Sequence, residues 1–143
     1  MPPERFAPDD PREWLNRARS DLALARMEAP GIYLEDLCFH AQQAVEKALK
    51  ALLIHYHVAF PYVHDLARLL TLLDEAGEPI PDDIRDAAQL TSFAVLARYP
   101  GIAAPISHEQ YKQAISLAER VVRWAEERLL SDRGDKSPIQ RGE

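Results

Sequence analysis

The sequence has little of what several protein classes require: it contains one cysteine, five glycines and no apolar run near the roughly 18 residues of a membrane span. A single cysteine permits neither an intramolecular disulfide nor a thiolate metal cluster, which fits a reducing compartment. The few glycines form no phosphate-binding loop, and the Gly-x-Ser-x-Gly and His-Glu-x-x-His motifs are missing. Residues 1–11 are polar and proline-rich, unlike an export signal. These absences predict a cytoplasmic protein without a membrane span.

Positive charge is also scarce, since 17 Lys and Arg residues face 23 Asp and Glu residues and give a formal net charge of −6. This balance argues against nucleic-acid binding through a broad basic surface, although a local cationic groove stays possible. Hydrophobic residues make up 47% of the chain and charged residues 28%, as in globular proteins. With 143 residues, the chain is long enough for one domain with a continuous core.

Apolar residues recur every three or four positions between Pro and Gly breaks, a period that predicts helices and no sheet. A first helix is expected to begin at Asp10, with Pro11 in its first turn, and to stop near Pro30. The longest helix is expected to run from Tyr33 to Tyr56, because neither Gly nor Pro interrupts it. Its apolar seam comprises Leu34, Cys38, Ala41, Val45, Ala48, Leu52 and Tyr56.

Three further helices follow in the sequence. A short one should begin at His64 or Asp65, and the next should run from Asp82 to about Arg98. Ser107 begins a Ser-x-x-Gln capping box, which predicts the start of the last helix. The inner face of the fourth helix is expected to carry Ile84, Ala87, Ala88, Thr91 and Val95.

These elements predict an all-α fold, an up-and-down four-helix bundle with an additional short helix. The bundle should occupy residues 10–130. Residues 131–143 are polar, lack an apolar stripe and contain Gly134 and Pro138, so we expect a disordered tail there.

The side of the long helix that faces away from the seam carries a row of polar residues, here called the polar stripe: His40, Gln43, Lys47 and Lys50. One interpretation is a surface that meets a phosphate, a nucleotide or a partner chain. The other is an ordinary solvated helix face. Small or apolar residues that a second copy of the chain could cover lie beside it: Phe39, Ala44 and Ala51.

Arg98 and Tyr99 are the more unusual feature. With a continuous α-helix, Arg98 falls in line with the inner face, where an unpaired guanidinium would be costly. It could pair with an acidic residue such as Asp21 or with helix-end carbonyls, or it could reach past the helix end and hold a phosphate in its planar fork of donors. Both roles remain open.

A group of imidazoles and a carboxylate (His55, His57, His64 and Asp65) falls within a short span that could suggest zinc. Their positions at the end of one helix and the start of the next explain them equally well. We therefore predict no metal site and no cofactor.

Three segments of the sequence, in this order, resemble the HEPN domain family: residues 38–53 (CFHAQQAVEKALKALL), His64-Asp65-Leu66 and Arg98-Tyr99-Pro100. The resemblance extends over residues 14–130. It implies a helical bundle that pairs into a homodimer. It also implies a partner, because small stand-alone members of the family occur beside a minimal nucleotidyltransferase in two-component or toxin–antitoxin systems.

Many HEPN proteins are metal-independent ribonucleases that use an Arg followed after four to six residues by a His. This chain departs from that pattern, because nine residues separate Arg98 from His108. The resemblance therefore implies a non-catalytic subunit that binds a nucleotide or RNA, pairs with a nucleotidyltransferase, or does both. Its expected phosphate-binding residues are Arg98, Tyr99, Lys47, Gln43 and His40. The alternatives are a ribonuclease toxin with a divergent active site and a bundle that only mediates protein association.

Overall fold

The computed structural model describes residues 1–62, 64–96 and 105–134, and these residues form helices and connections without a strand. The elements are α1 (Pro11–Ala25), α2 (Leu34–His55), α3 (Leu66–Glu75), α4 (Asp82–Arg85), a 3-10 helix (Asp86–Ser92), α5 (Phe93–Leu96) and α6 (His108–Gly134). The 82–96 segment is helical without a break. If this segment is counted as one helix, it forms the four main helices of the bundle together with α1, α2 and α6, and α3 is the additional short helix. The predicted all-α bundle is confirmed. None of the described helices is both long and apolar enough to cross a membrane.

α1 begins as expected but ends early. The Asp10 carboxylate accepts a hydrogen bond from the backbone N–H of Arg12 at 2.9 Å, so it is the predicted N-cap. The helix ends at Ala25 rather than near Pro30. The Tyr111 hydroxyl of α6 donates to the Ala25 carbonyl at 2.7 Å, which gives an unpaired helix-end carbonyl a partner.

The prediction of one continuous α-helix from Asp82 to Arg98 is wrong. The central 3-10 helix has about three residues per turn, so inward positions recur every third residue. Ile84, Ala87 and Leu90 are accordingly buried, whereas Val95, expected inside, is 52% exposed. The argument that aligned Arg98 with the inner face assumed an α-helical period and therefore fails. Arg98, Tyr99 and Pro100 lie outside the described residues.

α2 occupies the centre of the bundle and contacts α1, α3, α5, α6 and the 3-10 helix. Leu49, Leu52 and Leu53 on it are fully buried. Ala44 and Ala51 are fully buried too, within a single chain. These alanines are therefore not free to be covered by a second copy, and of the three residues on which the homodimer was predicted only Phe39 is still partly exposed.

α6 begins with the predicted capping box. The Gln110 side chain accepts from the Ser107 N–H at 2.8 Å, and the Ser107 hydroxyl accepts from the Gln110 N–H at 3.1 Å. The helix continues to Gly134, so the first four residues of the segment 131–143 are helical rather than disordered. Disorder in the rest of that segment stays a prediction.

α2 and α3 end in the same motif with different residues. After α2, the N–H of His57 donates to the Ile54 carbonyl and that of Val58 to the Leu53 carbonyl, which is the Schellman pattern. The residue in the left-handed conformation is His57, with φ of 59°, whereas α3 uses Gly77 at the corresponding position, with φ of 96°. A side chain in this conformation is strained, because its Cβ approaches the following carbonyl.

We therefore expect His57→Gly to raise the free energy of unfolding by about 1 kcal/mol, because glycine removes the strain at this position. Urea denaturation of the two proteins would measure the difference. Gly77→Ala is the reciprocal change and should destabilise the fold by a similar amount. A loss of stability in His57→Gly would contradict the prediction.

Candidate functional site

Two of the predicted site residues meet at a carboxylate of α1. Asp21 is buried, and its two oxygens lie 3.0 Å from His40 Nδ1 and 2.7 Å from Lys47 Nζ. His40 and Lys47 lie about two turns apart on α2, so Asp21 bridges them. We call these three residues the Asp21 cluster. Asp21 therefore joins two members of the polar stripe.

Gln43 belongs to a second group on the same helix. Its side-chain amide donates to Gln42 Oε1 at 2.7 Å and lies 3.5 Å from Glu46 Oε1. Gln42 and Glu46 are both buried. The structure thus places Gln43 beside the Asp21 cluster but bonds it to different partners. His40 and Lys47 are joined through Asp21, and Arg98 and Tyr99 lie outside the described residues.

The second group centres on Glu46 and is here called the Glu46 cluster. Glu46 is 4% exposed and accepts hydrogen bonds from Lys50 at 2.8 Å, His64 Nδ1 at 2.9 Å and Gln42 at 3.0 Å. Burial alone would raise the pKa of Glu46, but the bonds from Lys50, His64 and Gln42 outweigh it and hold that pKa below its usual value. Glu46 is therefore ionised at neutral pH.

Both interpretations of the polar stripe place Lys50 on the surface of the protein, and this is wrong, because its side chain is only 6% exposed. Besides Glu46, its ammonium lies 5.4 Å from the centre of the Phe60 ring and 5.8 Å from the Trp14 ring. These aromatic side chains from the α2–α3 connection and from α1 cover it and stabilise the cation. Lys50 is thus a structural ion, unlike Lys47.

A third buried carboxylate lies outside the predicted site. Glu78, in the connection after α3, is 2% exposed, accepts from the Tyr56 hydroxyl and lies 2.9 Å from Arg128 Nε of α6. Burial would lower the pKa of Arg128, but Glu78 and Tyr56 raise it above its usual value. No sequence signal marks Glu78, because it follows a glycine in a segment without periodicity.

The imidazoles considered for zinc do not gather around one point. Among the described residues, no three His, Cys, Asp or Glu side chains are placed to hold a metal ion. Cys38 is fully buried, and burial raises the pKa of its thiol to about 12. A thiol with that pKa is protonated at neutral pH and is a poor nucleophile.

The all-helical bundle corresponds to a known family. A profile of the HEPN domain matches residues 11–129, and the chain therefore belongs to the HEPN domain family. The resemblance deduced from the sequence motifs is thus confirmed.

Two solved structures are similar to the chain. TT1696 from Thermus thermophilus is 33% identical with a TM-score of 0.71, over 82% of this chain and 96% of that one. ST0689, described as an archaeal HEPN homologue, is 30% identical with a TM-score of 0.65, over 83% of this chain and 97% of that one. The comparison with curated proteins found no match.

Proposed function

We propose that the protein is a non-catalytic HEPN subunit that forms a homodimer and binds the phosphate of a nucleotide or RNA at α2. The Asp21 cluster is the observation that carries this proposal. Asp21 fixes the Lys47 ammonium and the His40 ring, and the Lys47 side chain is still 27% exposed. A cation held in place but open to water suits phosphate binding. Gln43, Arg98 and Tyr99 complete the site by family resemblance.

The position of His108 supports a non-catalytic role. RNA cleavage by the 2′-hydroxyl needs a proton-transfer group close to the cation that stabilises the phosphate. His108 is the first His after Arg98, and its Nε2 lies 2.8 Å from Glu28 of the α1–α2 connection. This contact between two exposed side chains gives the imidazole a partner other than a substrate.

One observation favours the alternative, a ribonuclease with a divergent active site. His40 and His64 each place Nδ1 against a buried carboxylate, that of Asp21 and that of Glu46. A carboxylate at Nδ1 fixes the orientation of an imidazole, as in enzymes that use His as a general base. Either His is therefore the candidate base if the protein cleaves RNA.

The homodimer is supported by an exposed apolar surface around the α1–α2 connection. Its members are Leu24, Met27, Ile32 and Tyr33. Light scattering should give about twice the 16.2 kDa mass of the chain. Pairing with a minimal nucleotidyltransferase follows from the family resemblance, and co-purification of the two proteins expressed together would test it.

Titration calorimetry with a nucleotide or a short RNA tests the binding role. Lys47→Gln is expected to raise the Kd at least about tenfold, because a charged contact to phosphate is lost. Lys112→Gln, an exposed change on α6, is the matched control and should leave the Kd unchanged. Equal affinities in both variants would remove Lys47 from the site.

The wild-type protein should not cleave RNA when a chelator has removed divalent metal ions. Cleavage that disappears in His40→Ala or His64→Ala would overturn the non-catalytic proposal and establish the alternative.

A further inference from the structure

The segment before α1 is held against that helix by three hydrogen bonds. The N–H of Phe6 donates to Glu13 at 2.9 Å, the Asn16 amide donates to the Glu4 carbonyl at 2.9 Å, and the Trp14 indole donates to the Pro8 carbonyl at 2.7 Å. Each bond joins a different point of the segment to α1. The segment is therefore a fixed part of the surface, and its side chains have defined positions.

A groove of about 340 Å³, here called the N-terminal groove, lies between this segment, α1 and α2. Its volume falls in the range of sites for small ligands. Lys47 of the Asp21 cluster forms one wall. The lining residues are Arg5, Phe6, Pro8, Glu13, Trp14, Arg17 and Lys47.

The N-terminal groove is positively charged in a chain whose net charge is −6. Three of its lining residues are cations and one is a carboxylate. Arg17 pairs with Glu13 at 2.8 Å and Lys47 with Asp21 at 2.7 Å. Arg5 makes no ion pair within the part of the chain that the structure describes. Arg5 acts on Glu13 only through its charge, so the groove contains one cation without an ion pair of its own.

Two aromatic side chains line the same groove. The Trp14 ring is fixed by an edge contact with Phe60, with ring centres 6.2 Å apart, and by the bond of its indole to Pro8. The Arg12 guanidinium lies 4.1 Å from the centre of the Phe6 ring, and Arg12 itself does not line this groove. Rigid aromatic walls bind planar rings by stacking or edge contact, with little loss of conformational entropy.

We propose that the N-terminal groove binds a nucleoside phosphate, with the base against Phe6 and Trp14 and the phosphate between Arg5 and Lys47. The proposal rests on the proposed function in that its ligand carries a phosphate. It extends the site to Arg5, Phe6 and Pro8, which precede residues 11–129, the part matched by the HEPN domain. Nucleotide recognition in this protein therefore includes a surface outside the family domain.

Trp14 offers a direct readout, because Trp124 is the one other tryptophan in the chain. In the full-length Trp124→Phe variant, adenosine monophosphate is expected to change the fluorescence of Trp14. The Kd of adenosine monophosphate should be at least about tenfold lower than the Kd of adenosine, which lacks the phosphate, and than that of inorganic phosphate, which lacks the base. Equal binding of phosphate and the monophosphate would reject the base-binding part of the proposal.

Two variants locate the ligand. Arg5→Gln and Phe6→Ala are each expected to raise the Kd for adenosine monophosphate about tenfold, measured by calorimetry in the otherwise unchanged protein. Arg68→Gln on α3, another exposed arginine with the same change in charge, is the control and should bind as the wild type does. Thermal unfolding of each variant shows whether it is folded. Because Arg5 is exposed, Arg5→Gln should fold normally, and it keeps the test valid if Phe6→Ala unfolds.

The outcomes separate this inference from the proposed function. A nucleotide that binds the wild type, Arg5→Gln and Phe6→Ala equally well lies elsewhere, which overturns the assignment of the groove and leaves phosphate binding at α2 intact. A wild-type protein that binds neither a nucleotide nor RNA contradicts both proposals.

Discussion

Replacing Glu46 with Ala is expected to lower the free energy of unfolding by about 3 to 5 kcal/mol, the scale on which a buried ion pair breaks. The substitution leaves the Lys50 ammonium buried without its carboxylate, and it removes the acceptor of Gln42 and His64. The losses at Lys50 and Gln42 have the same sign, because a buried donor that loses its partner is not rehydrated. Chemical denaturation of the two proteins measures the change.

The control for this prediction is an ion pair on the surface. Glu119 of α6 pairs with Arg26 at 2.7 Å, but both side chains are well hydrated. Glu119→Ala should therefore cost less than about 1 kcal/mol. Comparable losses in the two variants would show that burial of the Glu46 cluster is not the cause.

The pH dependence of stability provides a second readout of Glu46. Its pKa in the folded protein lies below the ordinary value of 4.5, so its stabilising contribution is fully present above pH 4.5. The contribution is lost as the pH falls through the folded pKa, where the carboxylate takes up a proton. Glu46→Gln has no such group and should show a smaller fall in stability with acid than the wild type shows.

Leu49→Ala is expected to destabilise the protein by about 2 to 5 kcal/mol. Leu49 is fully buried on α2, the helix that contacts almost every other element, so the neighbours cannot easily close the cavity. Leu130→Ala on α6 removes the same atoms from an exposed position and should change stability by about 0.5 kcal/mol or less. Thermal or urea unfolding of both variants tests the difference. A small effect of Leu49→Ala would mean that the core can repack around α2.

The sequence predicted best those features that depend on local chemistry. The cap at Asp10 and the box at Ser107 each involve residues within three positions of one another, so a single sequence suffices to find them. The predicted and observed bounds of α2 differ by only one residue at each end, because no Gly or Pro interrupts the helical period. The 3-10 helix was missed because its composition resembles that of an α-helix, and packing decides between the two periods.

The candidate site was predicted less completely than the fold. Helical periodicity predicts on which side of α2 each residue lies, but not which residues of other elements contact it. Lys47 and Lys50 are both on the polar stripe, yet one reaches solvent and the other is covered by aromatic rings. The contacts that separate them come from α1 and from the α2–α3 connection. They are long-range contacts that no local pattern encodes.

The concentration of both the core and the candidate site on α2 has an evolutionary consequence. The same 22 residues supply the fully buried leucines and the side chains His40, Gln43 and Lys47. Because neighbouring positions on α2 are needed for folding, few substitutions there can change ligand preference without also changing stability. The segment before α1 has no buried residue, so substitutions of its side chains disturb the core less. Divergence in ligand preference among relatives should therefore accumulate in the N-terminal segment, while α2 stays nearly constant.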